Sequence, residues 1–367
     1  MGVFLRPFSN IIFLKSLTNM KIDNFLNLPN PTSGYEQKVV DFCQKWLLQQ
    51  QEFILKTSGS TGEPKPIILT RNQMIASAKL TGKTFGLEVG DQALVCLNID
   101  YIAGIMMLVR GMELGLKLTI VEPSSNPFQN LKNPCFDFYA FVPLQLQNLL
   151  EDEKNVEFLN KSKAIIVGGA AVNDILEKEI QNLYAPVYST YGMTETVSHI
   201  AIKRLNGVNK NDNFQVLEGV NIGIDYRNCL NIIAEASNNK LIQTNNIVEI
   251  INEKEFQLIG RFDNIINSGG VKIQLEKVEK LIENEIKLLN PKRYFAYGIE
   301  DEKLGQKLVL FVEGETINPD LKNAFLLNIQ SVLSKYEIPK EIYFVEKFIE
   351  TATGKIDKKV VSTDFFV

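Results

Sequence analysis

The sequence has little of several things that common classes of protein need. His199 is the only histidine in 367 residues, so a Ser-His-Asp or Cys-His mechanism would have to pass through that one side chain. The four cysteines, Cys43, Cys96, Cys135 and Cys229, lie far apart, without a CxxC pair or metal-ligand spacing. This pattern favours buried free thiols in a reducing compartment over a zinc site or a disulfide framework. Catalysis is therefore expected to use other groups.

An excess of one charge and long apolar runs are missing as well. The net charge is -4, and the Lys and Arg residues are spread along the chain. The sequence therefore lacks the clustered basic surface that nucleic-acid-binding proteins need. No stretch approaches the roughly 20 apolar residues of a membrane-spanning helix. The apolar run at residues 11–14 is too short for a signal sequence and is followed by Lys15. We therefore expect a cytoplasmic protein without stable membrane insertion, in which residues 1–19 are a poorly ordered extension before Met20.

What is present is a globular composition with alternating strands and helices. The apolar fraction of 45% and the charged fraction of 22% are near the average for globular proteins. A chain of 367 residues exceeds the usual size of one hydrophobic core. The alternation predicts an α/β sheet covered by helices, followed by a small β-rich subdomain. The predicted segments are strands at 93–97, 117–121, 138–142 and 164–167, a helix at 102–114, and short strand-like runs over 214–259.

A second pattern begins after Asp263 and predicts a small α+β domain. It consists of a helix from Leu275, strands near 293–299 and 308–312, a helix over 318–335 and a strand at 341–345. We therefore predict a large N-terminal domain over residues 1–262 and a small C-terminal domain over residues 263–367.

The loop TSGSTGEPK at 57–65 is suited to holding an anion. Its glycines and hydroxyl residues let backbone amides and hydroxyls converge on phosphate oxygens, and Lys65 adds a positive charge. Thr70 and Gln73 form a capping-box signature for the helix that follows. The loop is not a Walker A motif, because Pro64 precedes the lysine. Composition alone leaves an ordinary polar turn as an equal alternative.

Five segments, in a fixed order, resemble the signatures of the adenylate-forming superfamily of acyl-CoA synthetases, peptide-synthetase adenylation domains and luciferases. They are TSGSTGEPK at 57–65, IIVGGAA at 165–171, YSTYGMTE at 188–195, IGRFDNIINSGGVKI at 259–273 and TATGKIDKK at 351–359. The resemblance implies a large N-terminal domain and a mobile C-terminal domain that turns about the hinge residue Asp263. It also implies ATP, Mg²⁺ and CoA as ligands.

The resemblance assigns roles to individual residues. A carboxylate suits Mg²⁺, and a lysine ammonium can offset the charge that develops when a carboxylate attacks phosphorus. The implied roles are phosphate binding by Thr57, Ser58, Gly59, Ser60, Thr61, Gly62, Lys65 and Thr194; adenine binding by Gly169, Tyr191 and Gly192; ribose binding by Asn246 and Arg261; Mg²⁺ binding by Glu195; contact with the reacting carboxylate and α-phosphate by Lys355; and CoA access by Gly269, Gly270 and Lys272.

Each of these residue types also has an ordinary structural explanation. Thr194 and Glu195 can begin a helix, where an acidic residue suits the helix dipole. Arg261 and Asp263, taken alone, are a surface pair. The family typically has a Thr-Gly-Asp motif for the ribose, whereas the matching residues here end in Asn246. An amide lacks the charge that strengthens such a bond, so we expect either somewhat weaker nucleotide binding or help from another group.

The acid substrate is suggested by a narrower resemblance. With residues 1–56 alone before the phosphate loop, this compact chain resembles the o-succinylbenzoate-CoA ligases of menaquinone biosynthesis. Arg110 fits the position of their substrate-pocket arginine, whose fork of donors can recognise a second carboxylate, and Tyr101 stands where they usually have histidine. Gly168 and Gly169 are expected beside the acyl group.

Several alternatives stay open. Arg110 near a helix C-terminus also satisfies the helix dipole. The acid can be another aryl or fatty acid, and a nucleotide-binding relative without turnover is a further alternative. The sequence leaves open whether the chain forms a homo-oligomer.

Overall fold

The computed structural model describes residues 19–56, 66–351 and 356–365. The phosphate loop from Thr57 to Lys65, the predicted extension over residues 1–18 and Lys355 therefore lie outside the described residues. Within the described ranges, no helix combines the length and apolar character needed to cross a membrane.

Twelve strands form one hydrogen-bonded sheet, and β2 and β3 pair separately as a hairpin. In chain order the first fourteen strands are β1 (Met20–Ile22), β2 (Glu52–Lys56), β3 (Pro66–Thr70), β4 (Gln92–Val95), β5 (Lys117–Ile120), β6 (Phe138–Phe141), β7 (Ala164–Val167), β8 (Val187–Gly192), β9 (His199–Arg204), β10 (Phe214–Val216), β11 (Asn221–Ile224), β12 (Cys229–Ile233), β13 (Ile242–Asn252) and β14 (Glu255–Arg261). The helices of this part are α1 (Gly34–Leu47), α2 (Arg71–Phe85), α3 (Ile102–Leu114), α4 (Pro143–Leu150), α5 (Glu153–Leu159) and α6 (Asp174–Ile180).

The strand order of the large sheet is β1-β5-β4-β6-β7-β8-β9-β10-β14-β13-β12-β11. Strands β5, β4, β6, β7 and β8 run parallel, and from β8 onward neighbouring strands are antiparallel. The chain passes from β4 to β5 on one side and then returns to β6 on the other side. Such a reversal opens a crevice at the carboxyl ends of the strands, where ligands of α/β proteins bind. The predicted α/β class is confirmed.

The segment predicted as a β-rich subdomain is the antiparallel continuation of the same sheet. It has its own hydrophobic cluster, in which the ring centroids of Tyr191 and Phe256 lie 5.2 Å apart and those of Phe214 and Phe256 lie 5.5 Å apart. The turns between β11 and β12 and between β13 and β14 are short, and Asn228 in the first of them has the left-handed φ of 59° that such turns favour. The antiparallel half is therefore packed independently but hydrogen-bonded to the parallel half.

The hairpin that carries the phosphate loop is anchored to three helices. Thr70 caps α2 with the predicted capping box, and the Gln73 side chain accepts a hydrogen bond from the Thr70 amide at 2.9 Å. The guanidinium of Arg71 lies 4.1 Å from the ring centroid of Trp46 on α1. The indole Nε1 donates to Glu113 on α3 at 2.9 Å. These contacts hold the end of β3 against α2 and tie α2 through Trp46 to α1 and α3.

A second sheet follows the 3-10 turn Phe262–Asn264. Its strands are β15 (Ile265–Ser268), β16 (Val271–Gln274), β17 (Arg293–Asp301), β18 (Gly305–Glu313) and β19 (Glu341–Val345), and its helices are α7 (Leu275–Leu281), α8 (Pro319–Ile329) and α9 (Lys358–Asp364). The sheets change at this turn, while the domain division at Asp263 stays a prediction. The prediction that α8 extends to residue 335 is wrong: the chain leaves the helix through Ser331, whose hydroxyl donates to the Asn328 carbonyl at 2.7 Å.

Two acidic side chains meet where the second sheet's layer contacts α6. Glu283, after α7, is held beside Asp174 at the start of α6, with Glu177 also near. Burial and the Asp174 carboxylate raise the pKa of Glu283 to about 7, although Lys287 opposes the shift. The Tyr294 hydroxyl lies in the same group, and burial raises the pKa of that phenol too. A proton at Glu283 therefore favours this contact.

We expect Glu283→Gln to remove part of the pH dependence of stability. The pKa of the Glu283 carboxyl is higher in the folded chain than in the unfolded chain, so the folded chain binds the proton more tightly. The free energy of unfolding therefore falls as pH rises from about 4.5 to about 7. Melting temperatures from pH 5 to pH 8 should therefore fall more steeply for the wild type than for the variant. Glu302→Gln, the same change on an exposed turn, is the control. Parallel wild-type and Glu283→Gln curves would contradict the shift.

Candidate functional site

The candidate site lies at the carboxyl edge of the parallel strands. Gly168 and Gly169 directly follow β7, and Tyr191 and Gly192 are the last residues of β8. Because β7 and β8 pair in parallel, with Val167 opposite Ser189, both strands end at the same edge. The sheet thereby brings together residues that the sequence resemblance assigned to one nucleotide pocket.

Gly192 is required by the close approach of two backbone segments. A Cβ atom at this position would collide with the Ser198 carbonyl and with the Cα of His199, which are main-chain atoms that cannot move aside. The approach follows from pairing, since Gly192 lies opposite His199 across β8 and β9. A glycine therefore fixes the geometry of the turn that follows.

That turn is Thr194–Thr196, and it carries the predicted phosphate and magnesium ligands. Thr194 is buried, whereas Glu195 is exposed and free to face a ligand. The turn is closed by Val197, a buried β-branched residue with φ of 63°. Valine rarely adopts this left-handed conformation, and such strain concentrates at functional sites.

Asn246 lies beside Tyr191, as the resemblance implied for adjacent ribose and adenine positions. Its Nδ2 donates to the Tyr191 hydroxyl at 2.7 Å. Burial raises the pKa of Tyr191 to about 12, so the phenol is neutral at physiological pH. Asn246 also pairs with Arg261 across β13 and β14. The three side chains thus form one corner of the candidate pocket.

Arg261 and Asp263 form an ion pair in which Nη2 lies 2.7 Å from the carboxylate. The Arg261 Nε is buried and has no hydrogen-bond partner among the residues that the structure describes. An unmatched buried donor is costly, so a ligand oxygen at this position would be favourable. Arg261 and Asp263 thus form the surface ion pair expected of these residue types. Arg261 is at the same time a candidate ribose contact.

Arg110, on helix α3, is almost completely buried, at 2% exposure. Its Nε donates to the Thr81 hydroxyl at 3.2 Å, and its Nη2 donates to the Ser198 hydroxyl at 2.7 Å. The third nitrogen faces the Met107 sulfur at 3.5 Å. Among the described residues none of its contacts is a carboxylate. Burial lowers the pKa of Arg110 to about 10, so the side chain keeps its charge at neutral pH.

His199 completes this buried polar cluster. Its Nδ1 lies 3.2 Å from the Ser198 hydroxyl and its Nε2 lies 3.5 Å from the Thr81 hydroxyl. Burial and the Arg110 charge lower the pKa of His199 to about 3, so the imidazole is neutral at physiological pH. The sequence analysis did not identify Thr81, Ser198 and His199 as neighbours of Arg110. The available signal was that Ser198 and the single histidine follow closely after the YGMTE segment.

Tyr101 and Arg110 lie apart along the same helix. Tyr101 is the N-cap of α3 and makes no side-chain capping bond, whereas Arg110 lies in its third turn. Their separation along the axis is about 13 Å at the usual helical rise. They can therefore contact different ends of a substrate, but not one carboxylate.

The predicted CoA loop is the turn of the β15–β16 hairpin. Gly269 and Gly270 have φ values of 59° and 84°, which only glycine adopts readily. Lys272 is opposite Asn267 in this hairpin. Its turn is held by a hydrogen bond of 2.8 Å from the Gly269 amide to the Leu304 carbonyl. No described contact joins this turn to the residues around Tyr191.

The fit of Mg²⁺ depends on Glu195. The described residues contain no group of three or more His, Cys, Asp or Glu side chains that would form a complete metal cage. Mg²⁺ commonly uses one or two carboxylates together with substrate phosphates, so one exposed carboxylate beside the buried Thr194 fits that ion. The proposed phosphate ligands from Thr57 to Lys65, and Lys355, lie outside the described residues.

Comparisons with known proteins identify relatives of this chain. A sequence model described as AMP-binding enzyme matches residues 45–224. The crystal structure of an acyl-CoA synthetase (AMP-forming)/AMP-acid ligase II-like protein from Dyadobacter fermentans is 46% identical. The alignment covers 93% of this chain and 97% of that one, with a TM-score of 0.63.

Two further relatives are more distant. The 2-succinylbenzoate--CoA ligase of Staphylococcus epidermidis is 27% identical, over 87% of this chain and 71% of that protein. The Bacillus subtilis o-succinylbenzoate coenzyme A synthetase (MenE), solved with ATP and magnesium ion, is 20% identical. The two structures align with a TM-score of 0.68 over 84% of this chain and 69% of that one. At this identity the alignment shows that the two proteins share a fold.

We expect Asn246→Asp to strengthen ATP binding about fivefold, because a hydrogen bond to a charged group is roughly twice as strong as a neutral one. The aspartate would accept from the Tyr191 hydroxyl and from a ribose hydroxyl. Titration calorimetry measures the dissociation constant, and Asn221→Asp on the edge strand β11 controls for the added charge. ATP binding that is unchanged or weaker in Asn246→Asp would contradict a ribose contact at this position.

Proposed function

Because the chain belongs to the AMP-binding enzyme family of adenylate-forming proteins, we propose that it is an ATP-dependent acid-CoA ligase. In the first half-reaction a carboxylate oxygen attacks the α-phosphorus of ATP, the bond to pyrophosphate breaks and an acyl-adenylate forms. In the second, the CoA sulfur, having given up its proton, attacks the acyl carbonyl and AMP leaves. The five ordered sequence signatures and the 46% identical relative support this assignment.

The residues divide the first half-reaction between them. Thr57, Ser58, Gly59, Ser60, Thr61, Gly62 and Lys65 would hold the β- and γ-phosphates. Tyr191 would pack on the adenine, with Asn246 and Arg261 at the ribose. Lys355 would contact the reacting carboxylate and α-phosphate, offsetting negative charge as the new bond forms. Mg²⁺ held by Glu195 would neutralise phosphate charge.

For the second half-reaction, the C-terminal domain would turn about Asp263. The Gly269–Gly270 turn and Lys272 would then approach the adenylate, and the glycines would let the CoA thiol pass close to the backbone. Alternation of the two half-reactions by rotation keeps Lys355 and the glycine turn from occupying the site together.

The substrate that the site supports best is o-succinylbenzoate, an aromatic dicarboxylate. Arg110 carries this proposal, because it is a fully buried cation whose described partners are all neutral. An uncompensated buried charge is destabilising, and the second carboxylate of a substrate would compensate it. The Ser198 hydroxyl would orient that carboxylate. Relatives named 2-succinylbenzoate--CoA ligase add support at 25% to 27% identity.

The product would be o-succinylbenzoyl-CoA, an intermediate of menaquinone biosynthesis. Tyr101, in place of the histidine usual in those ligases, would meet the reacting end of the acid rather than the end near Arg110. Its phenol is longer than an imidazole. The exchange of histidine for tyrosine would therefore change the length of acid that fits.

A pyrophosphate-exchange assay with a panel of acids tests the substrate. We expect o-succinylbenzoate to give the fastest exchange, with benzoate and a long-chain fatty acid slower. Exchange with the fatty acid and none with o-succinylbenzoate would overturn the substrate, and no exchange with any acid would overturn the ligase assignment.

Arg110→Met tests the role of the buried charge. Methionine keeps an unbranched apolar stem, so we expect exchange with o-succinylbenzoate to fall about 100-fold, the scale for removing a buried charged hydrogen-bond donor. Exchange with benzoate, which lacks the second carboxylate, should change little. ATP affinity and the melting temperature control for folding. An equal loss with both acids would show that Arg110 supports the fold instead of the second carboxylate.

A further inference from the structure

The carboxylate of Asp263 is held on both of its oxygens. Asn245 Nδ2 donates to Oδ1 at 3.0 Å, and Arg261 Nη2 donates to Oδ2 at 2.7 Å. Each of these bonds crosses between the end of the large sheet and the turn Phe262–Asn264. A side chain fixed at both acceptors keeps its backbone in one orientation.

Arg227 connects this pair to the edge of the large sheet. It lies in the turn between β11 and β12, where its Nε donates to Asp225 at 2.8 Å. Asp225 is itself fixed by the backbone amides of Arg227 and Cys229. The Nη1 of Arg227 donates to the Asn245 Oδ1 at 3.0 Å, so the amide that binds Asp263 is held at its other end.

The same guanidinium also lies over the turn itself. Its central carbon is 5.0 Å from the ring centroid of Phe262. A cation over an aromatic face is attractive, and a guanidinium stacks on such a face more readily than an ammonium. Arg227 therefore reaches Phe262 directly and Asp263 through Asn245.

Strand alternation gives two adjacent asparagines of β13 different partners, while Arg261 joins the candidate pocket to Asp263. Successive side chains of a strand point to opposite faces. Asn246 faces Tyr191, whereas its neighbour Asn245 faces Asp263. Two adjacent asparagines of β13 thus contact the candidate pocket and the candidate hinge separately.

We propose that Arg227 is a positioning residue that holds the turn Phe262–Asn264 in its present orientation, through Asn245 and through the Phe262 ring. The significance of that turn as a hinge rests on the proposed ligase function. Rotation about Asp263 requires the Asn245 bond and the Arg227 contact with Phe262 to break. Arg227 thereby sets how often the hinge opens, without touching substrate.

Trypsin provides a readout that does not depend on activity, because the Arg261–Phe262 bond is a cleavage site within this turn. We expect Arg227→Met and Asn245→Gly to raise native-state cleavage at that bond about tenfold. The rate of cleavage follows the fraction of molecules in which the turn is open, and loss of a charge-assisted hydrogen bond raises that fraction on this scale. Arg204→Met is the matched control, since Arg204 lies 5.1 Å from the Tyr188 ring centroid and bonds its hydroxyl, away from the turn.

Cleavage at Arg261 equal to that of the wild type would overturn the proposal. Cleavage raised equally at every tryptic site, with a lower melting temperature, would also overturn it, because that result means global destabilisation. Support requires an increase confined to the turn.

The two half-reactions give the second measurement. Pyrophosphate exchange reports adenylation, and CoA transfer from a supplied acyl-adenylate reports thioester formation. We expect the ratio of these rates to change in Arg227→Met and Asn245→Gly and to stay constant in Arg204→Met. A constant ratio in all three variants would overturn the link to turnover. If the wild type exchanges pyrophosphate with no acid, the ligase proposal fails, while the cleavage measurement still decides whether Arg227 holds the turn.

Discussion

The candidate site depends on the two different pairings of β8. This strand is parallel to β7 on one side and antiparallel to β9 on the other. The parallel side brings Gly168 and Tyr191 to one edge, because parallel strands end together. The antiparallel side returns the chain at once, so that Ser198 and His199 lie within reach of Arg110. A strand with the same direction on both sides would place these groups at opposite ends of the sheet.

The buried charge of Arg110 imposes a second constraint. Hydroxyls and a sulfur satisfy the directions of its donors but leave its charge uncompensated among the described residues. The same charge, together with burial, keeps His199 neutral. The lone histidine is thus held as a hydrogen-bonding group in the interior rather than as an acid or base. That catalysis uses other groups stays a prediction from the sequence.

Much of the fold could be predicted because its signals are local. The α3 helix has the predicted bounds and Thr70 caps α2 as expected, since the apolar period and the capping pair lie within a few residues of one another. The neighbours of Arg110 were missed because Thr81 and Ser198 belong to separate elements, and a helical pattern does not say which polar residue faces inward. The sequence analysis did not predict strands β15 and β16, because each is only a few residues long and the Gly-Gly turn between them is the strongest signal in that segment.

The resemblance to the adenylate-forming superfamily could assign roles to site residues. How those residues lie relative to one another, however, is determined by the pairing of the sheet strands. The register that places Asn246 opposite Arg261 is a property of β13 and β14 together. The β-rich segment was predicted as a separate subdomain because its turns are frequent, whereas its continuity with the parallel half depends on the β8–β9 pair. All the roles assigned to site residues, including those within 57–65 and at Lys355, stay predictions.

Val197 carries a consequence for how this protein can be stabilised. A buried valine with φ of 63° stores about 1 to 3 kcal/mol of backbone strain. Glycine at this position would relieve the strain, but it would also remove a fully buried side chain from the hydrophobic core, at a cost of at least similar size. The position therefore offers no simple route to a more stable protein. The packing of the Val197 side chain keeps the strained turn that presents Thr194 and Glu195 in place.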